Sequence, residues 1–196
     1  LNDCWGVCSW SSIDYYGNYK ALQYGARHFN APVSVSIENT EEYIKLFVLN
    51  DLKEKQDVTV TYDIFDFVSG TKQSDKKDVS IDAVKNELVF ELDVKSLAKA
   101  YDLKRTGVAV KLFKNGELLQ QKTVLFDKEK KLDLPKAKLK TRIEIKEDRL
   151  DITVKSDAYA RLVKLESADS VLPFSDNFFD ILPNESKKVT CLLYTS

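Results

Sequence analysis

The 196-residue sequence predicts a mainly β protein: two immunoglobulin-like β-sandwiches in tandem behind a short aromatic, helix-forming segment. Three observations carry that expectation. Through residues 33–126, apolar side chains recur at every second position in short runs separated by turn residues. The same alternation restarts at Leu139, after a charged stretch containing Pro135. Residues 1–32 follow a different, helical period.

In residues 1–32 the aromatic side chains are Trp5, Trp10, Tyr15, Tyr16, Tyr19, Tyr24 and Phe29. Tyr19, Leu22, Ala26 and Phe29 share one face at helical spacing, predicting a helix over about 18–29. Asn30 and Pro32 end it, because a residue before proline avoids the helical region and asparagine tolerates a left-handed cap. So short a helix needs a surface to bury its face against. It is expected to dock loosely, if at all, on the first sandwich.

Residues 33–126 form the first predicted sandwich, of seven short strands. Val58, Val60, Tyr62 and Ile64 alternate with polar residues; Phe65 and Phe67 then carry the pattern on the opposite parity, which predicts a bulge. Leu88, Phe90, Leu92 and Val94 alternate, as do Val108, Val110 and Leu112. Lys95–Tyr101 reads as one helical turn between strands. Asn115-Gly116 reads as a two-residue hairpin, since both residues accept the positive φ of a type I′ turn.

Residues 127–138 are charged and read as a linker. From 139 to 190 a second sandwich is expected, with Thr141, Ile143 and Ile145, a turn at Glu147-Asp148, then Leu150, Ile152 and Val154. It has room for about four or five strands, fewer than a full domain of this type requires, so it reads as truncated. An unpaired edge and an uncovered part of the core around Ile143, Ile152 and Leu162 are expected. The last six residues, 191–196, follow Lys187-Lys188-Val189-Thr190 without a turn. They match the in-frame translation of a transposon-type sequencing adapter, so an adapter-derived tail is expected there.

Composition narrows the function classes. With 43 % hydrophobic and 31 % charged residues and a net charge of −1, the chain has no basic footprint for nucleic acid and no polybasic membrane patch. No apolar run approaches the roughly 20 residues of a membrane span. Cys4 and Cys8 have no second cysteine pair or histidine cluster beside them, and His28 is the single histidine, so neither a metal site nor a cofactor is expected. The chain starts at Leu1 and contains no methionine, and no charged segment leads into an apolar stretch. It reads as a fragment, and no compartment is assigned.

Two motifs carry a family resemblance. Leu1-Asn2-Asp3, Trp5, Val7, the run Ser9-Trp10-Ser11-Ser12-Ile13-Asp14-Tyr15, Gly17, Lys20-Ala21-Leu22, Tyr24, Ala26-Arg27, Phe29 and Ala31-Pro32-Val33 form the first. This segment resembles the end of the catalytic barrel in β-mannosidases of glycoside hydrolase family two. Gly6 stands where that pattern has proline, Tyr19 where it has tryptophan and Gln23 where it has histidine. Residues 174–185, FSDNFFDILPNE, resemble a motif of the C-terminal immunoglobulin-like domain in the same enzymes, with Asn184 in place of glycine.

The resemblance implies that residues 1–32 are the loop-and-helix remnant of a (β/α) barrel. It also implies an exo-acting hydrolase of terminal β-D-mannose whose two catalytic glutamates lie upstream. No catalytic residue is expected in this chain, and Glu38, Glu41 and Glu42 read as a solvated strand edge. Barrel enzymes gather substrate contacts at the C-terminal ends of their strands. Asn2 and Asp3 are therefore candidates to hydrogen-bond sugar hydroxyls and Trp5 to wall the pocket; the alternative is that Asp3 caps a turn and Trp5 packs the barrel rim. Trp10 is expected in the core. Ser11-Ser12-Ile13-Asp14 reads as capping chemistry. In 174–185, either Phe178 and Phe179 present an aromatic platform to a glycan, or Asp176 and Asn177 shape a turn while Phe179 or Ile181 fills the core. The expected partner is a β-mannoside glycan, met through the missing barrel. Related enzymes act on galactosides, glucuronides or glucosaminides. The alternative is a non-catalytic tandem carbohydrate-binding or adhesion module.

Overall fold

A computed structural model describes residues 3–6, 10–167 and 173–192. They fall into two compact units, Asn30–Leu134 and a second that joins Leu1–Phe29 to Pro135–Ser196.

In the unit Asn30–Leu134 the strands are β1 (Val33–Asn39), β2 (Tyr43–Asn50), β3 (Gln56–Asp66), β4 (Gly70–Ile81), β5 (Lys85–Asp93), β6 (Thr106–Lys114) and β7 (Glu117–Leu125). They form a three-stranded sheet, β1-β2-β5, and a four-stranded sheet, β4-β3-β6-β7. All pairings are antiparallel. Val35, Ile44, Leu46 and Val48 from the first sheet share one core with Val58, Val60, Ile64, Val108, Val110 and Leu112 from the second. This is the expected immunoglobulin-like sandwich. The bulge lies between Ile64 and Phe65, and both Phe65 and Phe67 are fully buried. The ring of Phe65 lies over Gly107: a Cβ on that glycine would sit 2.8 Å from it.

Asn115 and Gly116 join β6 to β7 with φ of 52° and 81°, as their residue types require. The helical turn before β6 is Val94–Ala100, and the Asp93 side chain caps it by accepting from the Ser96 N–H at 2.7 Å. In β5 the simple alternation fails. A register shift opposite Leu46 and Phe47 turns Val89 into the core and leaves Leu88, expected inside, 42 % exposed. The sandwich is also tied along one side, where the Val35 N–H donates to Gln120 Oε1 (2.9 Å) and Lys122 Nζ donates to the Val35 carbonyl (2.6 Å). Burial lowers the Lys122 ammonium pKa.

Asn50, at the end of β2, has no exposed surface. Its Nδ2 donates to the carbonyls of Glu54 (2.8 Å) and Asp82 (2.9 Å), and its Oδ1 accepts from the Leu52 N–H (3.0 Å). One side chain thus holds the loop after β2 to the end of β4. The expected linker begins inside this unit: residues Glu129–Lys131 form a 3₁₀ turn, Leu132 is buried, and the Asp133 N–H donates to the Lys104 carbonyl at 2.9 Å.

In the other unit, β8 (Leu139–Ile145), β9 (Arg149–Ser156) and β12 (Ser186–Leu192) form a sheet in the order β12-β9-β8. Strands β10 (Ala160–Val163) and β11 (Phe179–Ile181) form a separate pair. The core gathers Ile152, Val154, Val163, Phe174, Phe179, Ile181, Val189 and Cys191. The Glu147-Asp148 turn is present, closed by the Lys146 N–H on the Arg149 carbonyl at 2.8 Å. Every residue of the edge strand β8 is exposed. Ile143 pairs with buried Ile152, yet stands uncovered, and Ile145 is 80 % exposed.

Two details of this unit go beyond the sequence reading. Leu162 lies outside the core, at positive φ (49°), where its N–H donates to Asp180 Oδ1 at 2.8 Å. Strand β12 does not stop at Thr190 but runs through Cys191 and Leu192. Cys191, behaving as a small apolar side chain, takes the buried position two after Val189.

Helix α1 (Ala21–Phe29) is shorter at its start than the spacing predicts, because Ile13 and Tyr19 pair across a β-bridge. Only Tyr24 of this helix is buried. Its docking surface is the turn at 174–178.

Candidate functional site

Of the expected substrate contacts, Asn2 lies outside the described residues. Asp3 and Trp5 stand on an irregular segment folded on itself by local chemistry. Asp14 carries its turn: Oδ1 accepts from the Asn18 N–H (2.8 Å) and Oδ2 from Asn18 Nδ2 (2.9 Å), with Gly17 at a φ of 88°. The hydrogen bond to Asn18 outweighs desolvation and lowers the Asp14 pKa. Asp14 thus closes a local turn and does not cap α1, which begins seven residues later at Ala21.

That turn returns the chain so that Asp3 meets Lys20. The Asp3 carboxylate is nearly inaccessible, and Lys20 Nζ donates to its Oδ2 at 2.7 Å. The same ammonium reaches Ser11 Oγ at 3.0 Å, and that hydroxyl donates to the Ile13 carbonyl at 2.7 Å. A buried carboxylate needs such a partner. The aromatic side chains of this segment are exposed. Trp5 is 72 % exposed, and Trp10, expected in the core, is 99 % exposed. Tyr16 and Phe29 are exposed as well, at 72 % and 61 %.

α1 links this segment to the motif at 174–178. His28 Nε2 lies 3.2 Å from Asp176 Oδ1, and Lys187 Nζ lies 2.8 Å from Oδ2. Arg27 donates to the Ser175 carbonyl at 2.8 Å. Tyr24 packs on the Phe178 ring at 6.0 Å between centroids, and Tyr19 on Tyr24 at 5.9 Å. Asn177 is buried and shapes the turn: its Oδ1 accepts from the N–H groups of Phe178 (2.9 Å) and Leu165 (2.7 Å), and its Nδ2 donates to the Leu165 carbonyl (2.9 Å). Phe179 and Ile181 fill the core. Of the two sequence readings of this motif, the turn-and-core one describes the structure. The motif's role as a receptor for α1 was not visible in the sequence, because the contacts join residues 148 positions apart.

Burial alone would raise the Asp176 carboxyl, but the hydrogen bonds and charges of His28 and Lys187 overcome it and hold the pKa at about 2. The folded value lies below the ordinary one, so the stabilisation is complete above about pH 4 and is lost as pH falls towards 2. Allowing for solvent screening, its size is on the order of 1 kcal/mol. Amide exchange of residues 21–29 should accelerate over that interval, and Asp176→Asn should flatten the response. An acid response unchanged in the variant would show that another carboxyl carries it.

Glu38, Glu41 and Glu42 are exposed, and Glu38 accepts a hydrogen bond from the Tyr43 hydroxyl at 2.9 Å.

Comparison with known proteins agrees with these features. Residues 42–131 match the family described as a Mannosidase Ig/CBM-like domain, and residues 134–195 match an Ig-fold domain of the Ig_mannosidase family. The β-mannosidase of Bos taurus is 29 % identical over 187 residues, which is 91 % of this chain and 21 % of the cattle enzyme. The solved β-D-mannosidase of Dictyoglomus thermophilum superposes with a TM-score of 0.85 at 28 % identity, covering 99 % of this chain and 24 % of that one. The exo-chitosanase of Amycolatopsis orientalis superposes with a TM-score of 0.70 at 15 % identity over 100 % of this chain and 27 % of its own, a likeness of fold. The chain therefore spans about a fifth to a quarter of the length of these relatives.

Proposed function

Because this chain belongs with the β-mannosidases of glycoside hydrolase family two, whose C-terminal immunoglobulin-like domains it carries, we propose that it serves an exo-acting retaining enzyme that removes terminal β-D-mannose. The observation that supports this most directly is likeness along nearly the whole chain, in sequence to one β-mannosidase and in fold to another. In this reading the catalytic pair is supplied by a barrel upstream of Leu1. A retaining glycosidase needs a nucleophile and an acid/base about 5 Å apart, and the exposed glutamates of 38–42 are solvated instead. Residues 1–32 complete the barrel. Asn2 and Asp3 contribute polar contacts at its rim, and Trp5 offers an apolar wall to a sugar face. The exposed aromatic surface is the face this segment turns to the barrel.

The test compares the 196-residue chain with a longer polypeptide that adds the barrel. On an aryl β-mannoside the short chain should give no turnover above background and the longer one should. Protein-dependent hydrolysis by the short chain, abolished by substituting one of its own carboxylates, would overturn the proposal. The fold likeness to an exo-chitosanase makes the sugar a separate question, so aryl β-glucosaminide belongs in the same assay. Faster turnover of that substrate would move the specificity while keeping the hydrolase.

A further inference from the structure

We propose that the turn Phe174–Phe178 is the socket through which the second immunoglobulin-like module positions the Asp3–Trp5 segment, with Asp176 as its positioning residue. The inference rests on the reading that this segment borders the glycan pocket.

Three sets of contacts converge on the socket. The first is polar: Asp176 receives His28 on one oxygen and Lys187 on the other, so one carboxylate joins α1 to β12. Arg27 adds a bond to the neighbouring carbonyl of Ser175. The second is aromatic: the rings of Phe178, Tyr24 and Tyr19 touch in series, and the middle one is buried. The third is conformational. Phe178 is held at a φ of 55°, unfavourable for a bulky side chain. The buried Asn177 side chain supports it by accepting the Phe178 N–H. Left-handed backbone at a non-glycine residue persists where surrounding contacts over-determine it, and such positions cluster at clamps. Here the strained residue presents the ring against which α1 rests.

The path from socket to segment is short. Tyr19, at the end of the ring series, pairs with Ile13, whose carbonyl accepts the Asp3 N–H at 3.0 Å. The next residue, Lys20, holds the Asp3 carboxylate. Displacing α1 therefore moves two groups that hold Asp3, and with it Trp5 two residues on. A pocket wall displaced in this way binds substrate less well, while carboxyls on upstream strands keep their geometry. The expected signature is a change in KM with kcat retained.

The test has two arms. In the 196-residue chain, Asp176→Ala and His28→Ala should each speed amide exchange of 21–29 about five- to ten-fold, with the double variant little worse than either. Additive effects would show that the two side chains do not act as a unit and would overturn the socket. In the longer polypeptide, Asp176→Ala should raise KM for the aryl β-mannoside by about five- to ten-fold with kcat within about two-fold, and Asp176→Glu should restore part of the loss. A fall in kcat matching the loss of folded protein, with KM unchanged, would reduce Asp176 to a structural role and overturn the proposal. Trp5→Ala separates the two readings. If it leaves KM unchanged, the segment does not border the pocket and the underlying reading fails. If it raises KM while Asp176→Ala does not, the positioning proposal alone fails.

Discussion

Replacing Asn50 by alanine should cost the Asn30–Leu134 unit about 2–4 kcal/mol, because a buried side chain that holds three backbone groups is lost at once. The Glu54 and Asp82 carbonyls and the Leu52 N–H all turn to this one side chain. None of them can be satisfied by the methyl that replaces it. Water entering the space would recover some of the loss, which sets the lower end of the range. For a unit of this size the melting temperature should drop on the order of 10–20 °C. Asn39→Ala is the control: its exposed side chain makes one long bond, 3.5 Å, to the Leu125 carbonyl, and the melting temperature should barely move. Equal, small effects at the two positions would mean that the loops around Asn50 hold themselves.

Gly107→Ala should be nearly as damaging, at about 1–3 kcal/mol. Alanine ordinarily gains several tenths of a kcal/mol over glycine, by reducing the freedom of the unfolded chain. Here the added carbon would meet the Phe65 ring at 2.8 and 2.9 Å and the Val124 carbonyl oxygen at 3.2 Å. Phe65 is fully buried and packs on Phe67, with ring centroids 5.9 Å apart, so it cannot swing aside into water. The backbone oxygen belongs to the paired strand β7 and is fixed as well. A second substitution, Phe65→Leu, should relieve part of the clash, so the double variant should be more stable than the sum of the single losses implies. Denaturant unfolding of the four proteins gives the coupling directly. Strict additivity would show that the ring is not the obstacle.

Much of the first sandwich was legible because its signals are local. Asn115-Gly116 states its turn, Phe65 and Phe67 state the bulge by their parity, and Val108, Val110 and Leu112 state a buried strand. Leu88 was misplaced for a reason the strand itself does not contain: the register shift arises where β5 pairs with β2. Ile143 and Ile145 carry the period of a buried strand face, but periodicity says which side chains share a face, not whether anything covers it. Trp10 is the same case, since an aromatic residue reads as core wherever it stands. At the candidate site, Asp14 was legible as a residue bonding the backbone close by, because its partner is four positions away, though it closes a turn and does not cap α1. Lys20 as the partner of Asp3 was not, nor was Asp176 as the partner of His28, because both pairings exist only once the chain has turned back on itself. Lys187 on the second oxygen of Asp176 adds a charge that spacing along the chain does not reveal.

The exposed strand β8 makes concentration a structural variable. Among the described residues no strand pairs with its outer edge, and Leu139, Ile143 and Ile145 lie exposed along one face of it. An extended segment laid along that edge would continue the hydrogen-bond ladder and cover the same isoleucines in one step. In dilute solution water occupies those sites. In a crowded preparation other chains compete for them, and the side chains on the opposite face, Lys140, Arg142 and Glu144, become the charges that set how closely two such edges can approach.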